Sequence, residues 1–163
     1  MKIFDFLRQS LPNEPGYQDE LKVLESGPLS PEKIIMAGLP CSTWPNPTRP
    51  ADGVPYYAAY AGVELGQYAA RCVQHPEYGK CLLLNNGETL PSVWPNSNHE
   101  WQFILNGVYF HPGGLHSSPE WRGSRGCFTA PADAHARAMS AVELLEDVTV
   151  IVRGTRLYLG LHA

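Results

Sequence analysis

The last stretch of the chain alternates between apolar and polar positions. In "DVTVIVRGTRLYLGLHA", Val148, Val150 and Val152 share one face and Leu157, Leu159 and Leu161 follow, so the pattern predicts a closing hairpin that turns at Arg153-Gly154. Upstream, "EWQFILNGVYFHP" alternates through Trp101, Phe103, Leu105, Val108 and Phe110. Asn106-Gly107 between its halves predicts a second hairpin, whose returning strand ends at His111. "VPYYAAYAGVEL" and "KCLLLNNGETL" read as short strands, the latter turning at Asn86-Gly87. One segment has the other period: Ala134, Ala138, Ala141, Val142 and Leu145 recur at helical spacing behind Pro131, which predicts an amphipathic helix over about residues 132–145. At the start, "KIFDFLRQ" fits a short helix or a strand with Ile3, Phe4, Phe6 and Leu7 inside.

These elements amount to a mainly β chain with one late helix, α+β in the broad sense, folded as a compact β-sandwich or barrel-like body. The length of 163 residues fits a single domain. Most of the prolines fall between Leu11 and Pro55, so residues 1–53 are expected to form an irregular N-terminal arm and residues 54–163 the core. Composition supports a folded chain, since 44% of residues are hydrophobic and only 17% charged. The net charge of −4 leaves no basic surface for nucleic acid. No run of about 18 apolar residues is present, so no membrane-spanning helix is expected. The N-terminal apolar patch is broken by Asp5 and Arg8 and does not read as a secretory signal.

Candidate chemistry gathers in "FHPGGLHSSPEWRGSRGCF", residues 110–128. A cysteine attacks as thiolate and needs a base or a positive neighbourhood. His111 and His116 lie near Cys127 in sequence, with Arg122 and Arg125 beside it. Gly126 leaves room for a carbonyl to approach and for backbone N–H groups to converge on one oxygen. The bland alternative is a buried thiol acting as apolar filler. Of the other cysteines, Cys72 and Cys81 flank "VQHPEYGK" and are candidates for a small disulfide loop, with two separate buried thiols as the alternative.

The order His111, then Ser124-Arg125-Gly126-Cys127 sixteen residues on, with Asp133-Ala134 opening a helix and a strand at Val148–Val152, resembles the L,D-transpeptidase (YkuD-like) catalytic domains. The resemblance covers about residues 80–155. It implies that Cys127 takes the acyl group of a peptidoglycan stem peptide as a thioester, with His111 as base. Ser124 would brace the loop, and the amides of Arg125, Gly126 and Cys127 would hold the oxyanion. Arg122, Arg125, His116, Gly113 and Trp121 are the candidate substrate-binding residues. Two departures stand out: Pro112 follows the histidine where glycine is usual, and Thr129 stands two residues past Cys127 where the family often has Arg or Asn. The resemblance further implies no metal and no cofactor. It places the activity at the periplasm or cell wall of the producing or a target cell, with an immunity protein or secretion apparatus as partner if the chain is an antibacterial effector.

Two rival readings follow from the same residues. His99, His111, His116, Cys127 and His135 offer zinc ligands, although no close-spaced ligand pair appears. Trp94, Trp101, Trp121, Tyr56 and Tyr57 can line the groove of a binding module without turnover. His99 and His135 otherwise read as surface or locally bonded residues.

Overall fold

A computed structural model of the chain describes residues 1–10, 16–44, 62–93, 105–113 and 127–155. Ten strands and one helix are formed within them: β1 Lys2–Arg8, β2 Asp19–Gly27, β3 Ser30–Cys41, β4 Gly62–Val63, β5 Gly66–His75, β6 Gly79–Leu84, β7 Ser92–Val93, β8 Tyr109–Pro112, β9 Phe128–Ala130, α1 Ala132–Met139 and β10 Asp147–Gly154. Eight of the strands make one sheet in the order β3-β2-β1-β10-β5-β6-β8-β9, and β4 pairs with β7 alone. The fold is mainly β, as the alternation predicts. The sheet curls far enough for its two outermost strands to meet. Ser42, just past β3, donates its N–H to the carbonyl of Thr129 in β9 at 2.7 Å and accepts the Thr129 N–H at 3.0 Å. Of the two arrangements expected, the barrel-like one describes this half-barrel. Among the described residues no helix is long and apolar enough to cross a membrane.

The interior follows the strand period. Phe4 and Phe6 of β1 pack with Leu21 and Val23 of β2, Val148, Val150 and Val152 of β10, and Phe110 and Phe128 of β8 and β9. The helix contributes Ala134, Ala138 and Met139 to the same core. Its N–H groups begin behind Pro131, which has no N–H to leave unpaired.

Three expectations are corrected and one alternative is decided. The first 53 residues are not an irregular arm where they are described: β1, β2 and β3 form one flank of the sheet, and Pro31 and Pro40 lie within β3, an outermost strand of that sheet. Of the helix and the strand that both fit the start of the chain, Lys2–Arg8 form the strand, paired with β2 on one side and in parallel with β10 on the other. Arg153-Gly154 is no turn either. Both residues continue β10 beside Leu7 and Arg8, and the Arg153 guanidinium clamps Asp5 with two bonds of 2.9 and 2.7 Å. The residues expected to form the returning strand, 157–161, lie outside the described ones, as does the first half of the hairpin at 101–104. The helix ends at Met139 rather than near 145, because the N–H groups of Ala141 and Val142 bond three residues back and tighten the chain out of the α-helix; Val142 still reaches the core.

Local turn chemistry is more faithful. Asn85, Asn86 and Gly87 carry φ of 48°, 54° and 78°, the left-handed region that Asn and Gly tolerate, and they turn the chain out of β6 as Asn86-Gly87 predicts. Cys72 and Cys81 are separate buried thiols. In the β5–β6 ladder Cys72 pairs with Leu82 and Cys81 with Val73, so the two sulfurs leave opposite faces of the sheet.

Candidate active site

Strand β8 carries His111 because apolar alternation fixes its faces. Phe110 pairs with Phe128 of β9, and both rings meet Phe6 edge-on inside the half-barrel, with centroids 5.2 and 4.7 Å away. The flanking positions Tyr109 and His111 therefore project from the opposite face, together with Leu83 of β6 and Thr129 of β9, the residues beside them in the ladders. Cys127 lies one residue ahead of β9. The backbone N–H of Tyr109 donates to its Sγ at 3.4 Å, which ties the thiol to the rim of this face. His111 and Cys127 are thus one strand apart and offset by two residues along the parallel β8–β9 ladder. Diagonal neighbours of that kind lie roughly 7–8 Å apart on a sheet, a gap that an imidazole and a thiol leaning together can close.

The imidazole is 1% exposed. Its Nδ1 lies 2.7 Å from the carbonyl of Pro112. A carbonyl only accepts, so Nδ1 carries the hydrogen and Nε2 is left as the basic nitrogen of the neutral ring. Burial pushes the His111 pKa down; the Pro112 carbonyl and Glu77 oppose that, and His75 adds to it. The ring is therefore neutral and able to take a proton at neutral pH.

A three-ring stack holds this imidazole. Tyr78, from the turn between β5 and β6, lies 4.0 Å from the His111 ring at an interplanar angle of 9°. On its other contact it stacks with His75 at 4.5 Å and 22°. Tyr109 closes the group edge-on, 5.1 Å from His75 and 6.5 Å from Tyr78. His75 is itself locked, since its Nδ1 accepts the N–H groups of Glu77 and Tyr78 at 3.0 and 3.2 Å.

All four cysteines are free thiols, and Cys127 alone is not fully buried. Burial raises its pKa while the Tyr109 N–H lowers it. The other three are raised as well, Cys81 to about 11 through burial and then through Cys72 and Cys127. The Cys127 thiol is protonated at rest, so a nucleophilic role requires that its proton be taken by a base.

Among the remaining sequence candidates, Ser124, Arg125, Gly126, Arg122, His116 and Trp121 lie outside the described residues, as does His99. Gly113 is described and buried. Its N–H donates to the Ala130 carbonyl at 2.8 Å and so extends the β8–β9 ladder beyond His111. His135 is not a surface residue: it is 4% exposed, its Nε2 lies 3.2 Å from the Phe110 carbonyl, and burial lowers its pKa to about 4. It packs edge-on against Phe110 at 4.7 Å and fastens α1 to β8 from the core side. No three His, Cys, Asp or Glu side chains gather as a metal set among the described residues.

Two residues of the site, Tyr78 and His75, escape sequence reading, and the burial of a third, Thr129, does so too. Tyr78 and His75 reach His111 from a turn more than thirty residues away in sequence, and only their closeness to a Gly79 turn in "VQHPEYGK" hints that they share a location. Thr129 is fully buried beside His111, and its Oγ1 has no hydrogen-bond partner. No family model matches the chain, and no curated protein matches it.

Proposed function

We propose that the chain is a cysteine acyltransferase of the L,D-transpeptidase type, acting on peptidoglycan stem peptides. The observation that carries the reading is the His111 tautomer: the Pro112 carbonyl takes the Nδ1 hydrogen, which leaves Nε2 as a base on the strand next to Cys127. In the reaction, Nε2 takes the Sγ proton and sulfur bonds to the acyl carbonyl carbon. Collapse of the tetrahedral adduct breaks the C–N bond, and the proton on Nε2 passes to the departing amine. The thioester then passes its acyl group to an amine, giving a crosslink or amino-acid exchange, or to water, giving carboxypeptidase action. The Tyr109 N–H supports the thiolate that forms. The oxyanion falls to the amides of Arg125, Gly126 and Cys127 on the strength of the resemblance. The same resemblance puts the activity at the cell wall of the producing or a target cell.

A second reading has its own observation. Burial holds the Cys127 thiol up, as for an inert core cysteine, which suits a wall-binding module without turnover. Muropeptide mass spectrometry separates the two. Sacculi incubated with the wild type should gain crosslinked, exchanged or trimmed stem peptides, and sacculi incubated with Cys127→Ala should gain none. Equal products from both proteins would remove Cys127 from the chemistry; sacculus binding with no products from either would establish the second reading.

A further inference from the structure

We propose that Tyr78 is a positioning residue for the base, a ring that clamps the His111 imidazole and stabilises its protonated form during acyl transfer. This rests on the reading of His111 and Cys127 as a base and nucleophile pair. The observation is the near-coplanar stack at 4.0 Å and 9°, closer and flatter than the other ring contacts of this group.

A coplanar ring placed there does two things. It blocks rotation of the imidazole about its Cβ–Cγ bond, so the Nδ1–H stays on the Pro112 carbonyl and Nε2 keeps its direction. It also presents the electron-rich face of the phenol to the imidazole. That contact is a stacking interaction while the ring is neutral and a cation–π interaction once Nε2 has taken the Cys127 proton. The gain is therefore larger in the ion-pair state than at rest, which is the condition for lowering a barrier.

The scaffold behind Tyr78 fits this role. His75 stacks against the tyrosine, and its Nδ1 accepts the Tyr78 N–H, so the turn cannot move the phenol without breaking a backbone hydrogen bond. Gly79 follows with φ of 71°, a conformation that returns the chain into β6 immediately after the tyrosine. The titratable groups that bear on His111 are His75 and Glu77 on this turn, the stacked Tyr78 and His135 on α1; Tyr109 on its own strand and Cys127 ahead of β9 share its face of the sheet. Glu77 stabilises the imidazolium, while His75 opposes it. His135 stays neutral across the working range, with its pKa at about 4.

The test measures the thiol directly and needs no wall substrate. The full chain is alkylated with iodoacetamide between pH 5 and 10, and the rate at Cys127 is read by peptide mass spectrometry, apart from the three buried thiols. His111→Gln should remove the low-pH limb of the profile. Tyr78→Leu should move that limb to higher pH and slow Cys127 alkylation at pH 7 about tenfold, the size of a partly desolvated cation–π contact. Tyr78→Phe keeps the ring and should restore the wild-type profile to within about twofold. A folded Tyr78→Leu protein with the wild-type profile would overturn the role of Tyr78 and leave the pair intact. A His111→Gln protein with the wild-type profile would instead overturn the pair. A merely structural tyrosine would change the melting temperature without moving the pH of the limb.

Discussion

Two buried polar sites are joined by the Ser42–Thr129 bridge, and they differ in how densely their side chains are bonded. On one side, at the ends of β1 and β3, Asp19 accepts five hydrogen bonds: from the N–H groups of Gln9, Ser10 and Thr43 and from the hydroxyls of Ser10 and Thr43, all between 2.7 and 3.0 Å. Arg8 donates to the Thr43 hydroxyl and carbonyl and to the Val63 carbonyl, and lies over the Trp44 ring at 4.0 Å. On the other side, the His111 Nδ1 lies on the Pro112 carbonyl, the Cys127 Sγ accepts the Tyr109 N–H at 3.4 Å and lies 4.0 Å from the Gly107 carbonyl, and the Thr129 hydroxyl has no partner. In the first site one carboxylate, Asp19, gathers five bonds and so holds three chain segments together. The second leaves the buried Thr129 hydroxyl unpaired, which costs stability.

The largest effect should come from Asp19→Ala. It strands the Ser10 and Thr43 hydroxyls and three N–H groups in the interior, so urea unfolding should show a loss of about 3–5 kcal/mol, the range for breaking a buried charged network. A loss below about 1 kcal/mol would mean that water replaces the carboxylate and that the contrast between the two sites is false.

Acid should produce the next effect, through His135. Its pKa is about 4 in the fold against an ordinary 6.5, so the unfolded chain binds the proton first as pH falls. Stability should be unaffected by this residue above pH 6.5 and should decline between there and about pH 4, by on the order of 3 kcal/mol from this residue alone. His111, also lowered by burial, adds in the same direction. His135→Gln keeps a donor for the Phe110 carbonyl, so its unfolding midpoint should vary much less over this window. An unchanged pH dependence would place the acid sensitivity elsewhere.

The smallest effect is also the sharpest. Thr129→Val replaces an unpaired buried hydroxyl with a methyl of the same shape, and should raise stability by about 1 kcal/mol, whereas most polar-to-apolar changes at a paired site lower it. Thr43→Val, on the other side of the bridge, removes a hydroxyl that both donates and accepts, and should destabilise. If both valines act with the same sign in thermal melts, the two sites do not differ as described.

Much of the sheet was legible where the signal is local. Alternation placed β8 with His111 in it, Asn86-Gly87 marked a turn, and Pro131 marked the start of α1. Non-local pairing was not legible. Nothing within "VIVRGT" says that β10 runs on through Arg153-Gly154, because the reason is a parallel partner at the other end of the chain. The strands of the N-terminal third were obscured by the prolines around them and by the β2–β3 register shifts, which break the alternation at Leu21–Val23 and Val23–Leu24. At the site, His111 and Cys127 carried recognisable residue types at a recognisable spacing. Tyr78 carried none, since an aromatic residue in a turn gives no indication of which ring it will cover.

The parallel pairing of β1 with β10 also governs when the protein can fold. β1 precedes the other described strands in the chain and lies inside the finished sheet, yet one of its two edges is satisfied only by residues 149–154. On the ribosome, Phe4, Phe6 and the open edge of β1 stay exposed until nearly the whole described chain has emerged. A sheet whose central contact joins such distant segments closes slowly, because the loop entropy is spent before the contact forms. Truncation before β10 therefore leaves the β1–β2–β3 flank with an unpaired edge, a template for aggregation.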